Sequence, residues 1–246
     1  MTEKTLTEQL VSSKFGLEFI NVLAPLTSKH LRIFLDNTEI DYETIGDEKE
    51  KKLKEIARIY GLLQTSVSDL ELVLIFLRIE DRKQITQLYP NLESQEQYFK
   101  YHLENFIIRI ITITDIIGKL GNSIFETGLS EDKLNGYNFK EKIKLIDSTC
   151  SSIVEKLLIE TKEIKDKRHI KLHTGETKID YFKGIVFWDE LSKIIKSEAD
   201  PILDELTNKN IQEEIDLLEK DIRHILDIVI EFTDYATEKF KEIANK

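Results

Sequence analysis

The stretch Arg168-His169-Ile170-Lys171-Leu172-His173-Thr174-Gly175-Glu176 gathers one arginine, two histidines and a glycine between Arg168 and Gly175. Arginine is always charged and offers a planar fork of donors that matches phosphate oxygens, whereas an imidazole takes up or releases a proton near neutral pH. Together they suffice for cleavage of RNA without a metal. One imidazole moves the proton of the ribose 2′-OH or of the leaving 5′-oxygen, and the guanidinium steadies the charge that builds on phosphorus. In this reading His173 is the general acid or base, Arg168 is the phosphate ligand, and His169 supports the geometry or contacts RNA. Two other chemistries fit the same residues. His169 and His173 stand at i and i+4, a two-ligand arrangement for a metal whose nearest third donor is Asp166 or Glu176. The corner could also hold a nucleotide, an RNA end or a partner carboxylate without reacting with it.

The surroundings are basic. Lys162, Lys165, Lys167, Arg168 and Lys171 outnumber Glu163 and Asp166 in a chain whose net charge is -11. A positive island in an acidic protein suggests a local anion site, with Lys165, Lys167 and Lys171 as contacts to the substrate. The ordinary preference of helix C-termini for cations gives the same pattern. The overall acidity argues against a protein that coats nucleic acid non-specifically, because that affinity comes from neutralising phosphates with lysine and arginine.

The element that must position this corner is a helix. It is expected to start near Phe139 and, with an interruption around Ser148 to Ser152, to run through Ile153, Leu157 and Ile164 to the motif. Residues five apart on an unbroken α-helix are about 140° out of phase, so Arg168 and His173 do not share a face. Either the backbone bends near Thr174-Gly175, or two copies of the motif meet across a two-fold axis.

The pattern Ile164-x3-Arg168-polar-Ile170-x2-His173-x-Gly175-Glu176 resembles the signature of the HEPN superfamily of small helical ribonucleases, over roughly residues 95–245. There the motif is Arg-x4-6-His, with a polar residue after the arginine, where a bundle helix runs out. The polar position here is His169, and Gly175 stands where a regulatory tyrosine would be, so nucleotidylation of such a tyrosine is not implied. The resemblance implies a metal-independent endoribonuclease without a cofactor, acting on RNA as a homodimer that brings two motifs into one cleft. It further implies a setting of toxin-type growth arrest or phage defence, with a neutralising antitoxin protein as partner. Members that have lost activity serve as nucleotide- or protein-binding modules, so that reading stays open.

Composition points to the same class of fold. With 41% hydrophobic and 33% charged residues but only nine Gly and three Pro, the 246-residue chain reads as a soluble all-α protein. It is long enough for one large domain or two small ones. Thr2-Glu3-Lys4 leads into an amphipathic run rather than an apolar one, so no secretory signal is expected. The window Phe106 to Ile117 is broken by Arg109 and Asp115 and is too short to span a bilayer. With a lone Cys150 these features place the protein in the cytoplasm, with no membrane partner. Cys150 itself reads as a small buried hydrophobe rather than a nucleophile.

Apolar residues at steps of three and four predict the long helices. Leu53 to Leu77 marks one over about Asp47 to Ile79, and Leu103 to Ile124 one over roughly Gln95 to Glu126. The latter carries a second set, Ile107, Ile108, Ile111 and Ile116, which suits a bundle centre or, preferably, a dimer interface. Ile211 to Ala236 marks a last helix from about Asn210 to Ile243. Asp189 would cap a short helix ending near Lys196, and Asp200-Pro201 would open another turn or two. Before these, a helix over residues 6–24 should end at Pro25 and a second piece run from Ser28 to Leu35. Tyr89-Pro90 separates an N-terminal helical region, residues 1–90, from the bundle of long helices, 95–245; the first region is either separate or part of that bundle. Thr177 to Trp188 fits a short hairpin or an ordered loop over the cleft. His30 and His224 read as structural and surface residues. Arg109 and Asp115 each sit on an exposed sliver or pair with a neighbour, or else Arg109 or Glu104 faces the motif corner.

Overall fold

In the computed structural model, residues 4–78, 88, 92–173 and 200–245 are described. Residues 43, 92–96, 167–173, 200–208, 210, 211 and 214 are described by their backbone alone. Among the described residues there is no strand, and seven α-helices account for most of them. They are α1 Leu6–Val11, α2 Lys14–Asp36, α3 Glu48–Leu77, α4 Leu92–Phe125, α5 Gly136–Ile143, α6 Ser148–His173 and α7 Asp200–Asn245. The all-α expectation holds.

Local chemistry explains where these helices begin. Thr5 and Glu8 form a capping box that starts α1, the Thr5 hydroxyl accepting from the Glu8 amide while the Glu8 carboxylate accepts from the Thr5 amide. Ser13 starts α2 by accepting from the Gly16 amide at 3.1 Å. The first break therefore falls at Ser12-Ser13 and not at Pro25, which lies inside α2. Proline at this point removes the bond to the Asn21 carbonyl. Pro25 and Asn21 are both exposed, so that acceptor is open to solvent and the helix continues.

Two further boundaries differ from expectation for similar reasons. Asn135 accepts from the Asn138 amide at 2.8 Å, so α5 begins at Gly136 rather than at Phe139, and the interruption before α6 comes at residues 144–147. The turn at Asp200-Pro201 and the helix from Asn210 are one continuous α7, because no glycine or proline between Pro201 and Ala244 stops it. The boundary at Tyr89-Pro90 and the short helix from Asp189 lie outside the described residues.

The seams close into cores as their spacing requires. Every position from Leu53 to Leu77 on the α3 seam is buried, as are Phe106, Ile110, Ile113, Ile117, Leu120 and Ile124 on α4. So are Ile215, Leu218, Ile222, Ile225, Val229, Phe232 and Ala236 on α7. Of the second set on α4, Ile107 and Ile116 are buried within the chain, whereas Ile108 remains 57% exposed. Among the described residues α3 alone is long and apolar enough to cross a membrane, through an 18-residue window of mean hydropathy 1.4 that is 44% buried in the fold.

The chain divides into two compact units, Met1–Ser68 with Ile111–Thr161 and Ile225–Lys246, and Asp69–Ile110 with Lys162–His224. The core of the first is aromatic. Phe15 lies 5.0 Å from Tyr60 and 5.2 Å from Phe240 between ring centres, and Phe19 lies 4.6 Å from Tyr60. Each such ring stabilises by about 1.5–3 kcal/mol through burial. The Tyr60 hydroxyl donates to the Leu10 carbonyl at 3.2 Å, which ties α1 to α3, and burial pushes its pKa upward. Gly121 of α4 lies under the Phe139 ring, where a Cβ would come within 2.2 Å of the ring edge. The second unit holds Arg109 against Asp69 at 3.0 Å, and Arg78 against Glu219, which also accepts from Arg223.

Candidate functional site

The motif helix is anchored at its start. Asp147 precedes α6 and accepts from the Cys150 amide at 2.9 Å, satisfying one of the free donors of the first turn. The same carboxylate accepts from the Tyr235 hydroxyl of α7 at 2.9 and 3.0 Å. From there Cys150, Ile153, Val154, Leu157, Thr161 and Ile164 form a buried stripe down the helix. The Cys150 thiol is completely enclosed, and burial pushes its pKa up to about 12, so it is a packing group as its sequence context suggested.

The backbone of α6 stays helical through His173. Arg168 follows Cys150 by 18 residues, which is five whole turns, so its register position continues the line of the buried stripe. His169 and His173 occupy positions about 100° and 140° around the axis from it. Lys162 falls on the arc of these two histidines, Lys165 stands between that arc and Arg168, and Lys167 and Lys171 flank Arg168 on its other side. The helix thus groups His169 and His173 with Lys162, and sets Arg168 apart from them. Arg168 and His173 are separated by about 7.5 Å along the axis. A bend at Thr174-Gly175 would lie beyond both residues and would not bring them onto one face.

Burial is described for part of this set. Lys162 is exposed, Lys165 is half-buried and Asp166 is exposed. For Lys167, Arg168, His169, Lys171 and His173 the described feature is the helical backbone. The stretch Thr177 to Trp188 and Glu176 lie outside the described residues.

The remaining ionisable residues sort clearly. Arg109 pairs with Asp69, 40 positions earlier on α3, which accounts for its charge inside an apolar helix. His224 is exposed beside Arg223, as expected. His30 is fully buried, and its Nε2 lies 3.1 Å from Glu50 Oε2, a partner from another helix that local spacing could not reveal. Lys29 donates to the other Glu50 oxygen at 2.6 Å, and these two donors, with the Asp47 amide at 3.3 Å, hold the Glu50 carboxyl at about 2.

His102 drew no attention in the sequence. It is buried in an aromatic nest, 5.1 Å from Phe76, 4.5 Å from Tyr98 and 5.3 Å from Tyr101 between ring centres. Burial lowers its pKa and so favours the neutral imidazole. The signal available in advance was the run Tyr98-Phe99-Lys100-Tyr101-His102, which concentrates rings on neighbouring turns of one helix.

Comparison with known proteins gives one family. The family model described as Cthe2314-like HEPN matches residues 60–241, most of the chain. No curated protein and no solved structure matches the sequence.

Proposed function

Because the chain belongs to the Cthe2314-like HEPN family, we propose that it is a metal-independent endoribonuclease in which Arg168 and His173 act on one phosphodiester. The observation that carries this reading is the Arg168-x4-His173 motif on the last turns of α6, inside the span that matches the family. In the reaction the ribose 2′-oxygen attacks phosphorus and the 5′-oxygen departs. RNA is left with a cyclic 2′,3′-phosphate on one side and a 5′-hydroxyl on the other. His173 moves the proton at one of these oxygens, and Arg168 donates to the non-bridging oxygens as charge accumulates. His169 shares the arc of His173 and supports it. Lys165, Lys167 and Lys171 contact flanking phosphates.

The geometry of α6 favours catalysis by two chains. Positions about 140° apart on one helix supply one proton-transferring group to a given face, whereas the reaction needs a proton removed at one end and delivered at the other. A homodimer provides both. This activity suits a cytoplasmic toxin or phage-defence role with an antitoxin partner that holds it in check.

One observation favours a second reading. Arg168 continues the buried line of α6, a position suited to a structural or ligand-holding arginine in a HEPN module that binds a nucleotide or protein without cleaving. Purified protein incubated with RNA in excess chelator separates the two. Cleavage yielding 5′-hydroxyl ends, lost in Arg168→Ala and in His173→Ala, is the expected outcome. Undiminished cleavage in the double variant would remove the nuclease assignment, and binding without cleavage by the wild type would establish the second reading.

A further inference from the structure

Rings from two helices of the second unit close around His102. Tyr98, Tyr101 and His102 stand at i, i+3 and i+4 on α4 and share one side of it, and Phe76 comes from the last turn of α3. The Tyr98 hydroxyl donates to the Phe76 carbonyl at 2.9 Å, which ties the two helices together at this point. Phe76 lies nearly parallel to the imidazole, at 28°, whereas Tyr98 and Tyr101 meet it at 63° and 78°. The imidazole is 8% exposed, yet Phe76 and Tyr101 beside it are 42% and 61% exposed. Neither ring nitrogen of His102 has a hydrogen-bond or ion-pair partner among the described residues, and neither is sealed from solvent as Nδ1 of His30 is. An unengaged nitrogen that reaches the surface through an aromatic wall is the composition of a small-ligand subsite: apolar lining with one polar handle.

We propose that this nest is a subsite for one nucleobase of single-stranded RNA, which stacks on the Tyr101 ring and presents its edge to a ring nitrogen of His102. Unpaired bases are recognised in this way, by stacking on aromatic side chains combined with hydrogen bonds to the base edge. A neutral imidazole offers one donor and one acceptor, and base edges carry both. Burial favours that neutral form, and Phe76 and Tyr98 hold the ring in place. Arg109, two turns beyond His102 on the same side of α4, is held by Asp69 at 3.0 Å and brings no free charge. Phosphate binding therefore falls to other groups. The compact unit that includes the nest, Asp69–Ile110 with Lys162–His224, also includes Lys162, Lys165, Lys167 and Lys171 of the motif helix. Those lysines have charge and no ring, while the nest has rings and little charge, so together they match the phosphate and the base of a nucleotide. The open imidazole nitrogen favours a base over a purely apolar protein contact, which would leave it unpaired. The inference rests on RNA being the ligand, as in the nuclease reading, and adds where a base is held.

Binding to oligonucleotides that cannot be cleaved separates the subsite from the chemistry. The probes are fluorescein-labelled single strands of 2′-fluoro-A, 2′-fluoro-C or 2′-fluoro-U, in which no 2′-OH can attack phosphorus. Wild type should bind them with a preference among the bases. Tyr101→Leu keeps an apolar side chain but removes the ring, and should weaken every probe by about tenfold or more, whereas Tyr101→Phe should retain the affinity. His102→Phe keeps the aromatic packing and removes the nitrogens, so the ratio between the tightest and the weakest probe should fall by about threefold to tenfold. Tyr101 is mostly exposed, so Tyr101→Leu should melt with the wild type. Unchanged affinity in Tyr101→Leu, an unchanged base preference in His102→Phe, or no binding by the wild type would each overturn the subsite. So would loss of self-association in Tyr101→Leu with RNA affinity intact, which would assign the surface to a second copy of the chain. The nuclease reading is judged separately on unmodified RNA. A wild type that binds the probes with this pattern and cleaves nothing would refute that reading and leave the subsite standing.

Discussion

Replacing Asp147 tests how the motif helix is held. Its carboxylate does two things at once, capping α6 through the Cys150 amide at 2.9 Å and accepting from the Tyr235 hydroxyl at 2.9 Å. Removing an N-cap acceptor costs about 1 kcal/mol. A hydrogen bond to a charged acceptor is worth about 1.5–3 kcal/mol when enclosed, and with Tyr235 38% exposed about 1 kcal/mol remains after solvent screening. Asp147→Ala should therefore destabilise by about 2 kcal/mol, which for a chain of this size lowers the melting temperature by about 4–8 °C. Asp147→Asn keeps an oxygen for the cap and loses the charge, so about half of that effect is expected. Thermal melts of the wild type, Asp147→Ala, Tyr235→Phe and the double variant close a cycle, whose coupling should be about 1 kcal/mol. Activity measured well below the melting temperature should survive, because Arg168 lies about 30 Å further along α6. An Asp147→Ala melt within about 1 °C of wild type, or strictly additive single effects, would show that this carboxylate does not join α6 to α7.

Other consequences follow from the same geometry. Arg168→Ala and His173→Ala should each lower RNA cleavage by roughly a hundredfold or more while helical circular dichroism is retained, and a wild-type rate in either variant would exclude that residue from the chemistry. Glu50 is held at about 2, below its ordinary 4.5, so its stabilising bonds are fully present above pH 4.5 and are lost as pH falls towards 2. Glu50→Gln should accordingly be about 1–2 kcal/mol less stable than wild type at pH 7, with the gap closing through that acid window; a gap constant with pH would contradict the assignment. Cys150 should resist thiol reagents in the folded protein at pH 8 and react upon unfolding in urea, and rapid native labelling would show that the α6 core opens readily. Gly121→Ala should cost about 1–3 kcal/mol in urea unfolding because the Phe139 ring occupies the space of the new methyl, and a neutral substitution would show that the ring gives way.

Much of the helical framework was legible because its signal is local and repeated. On α3, α4 and α7 the same step of three and four recurs for several turns, and burial of a continuous seam leaves little freedom in where the helix lies. Boundaries were less legible. Pro25 looked like a stop, yet an exposed proline whose orphaned carbonyl is open to solvent does not end a helix that packs on its other side. The serine pair at 12 and 13, one of which caps α2, carried the real signal. Asn210 looked like a start because the seam becomes regular there, although nothing before it breaks the backbone.

By itself the sequence determined the all-α class, the main seams, the packing role of Cys150 and the place of the Arg168-x4-His173 motif on a helix, since each depends on neighbours within a few turns. Only the tertiary structure decided which distant groups meet. Glu50 with His30, Asp147 with Tyr235 and Asp69 with Arg109 are pairs separated by 20, 88 and 40 positions. Their selection depends on how helices pack, and a hydrogen bond or ion pair across that packing leaves no periodicity along the chain for local reading to detect.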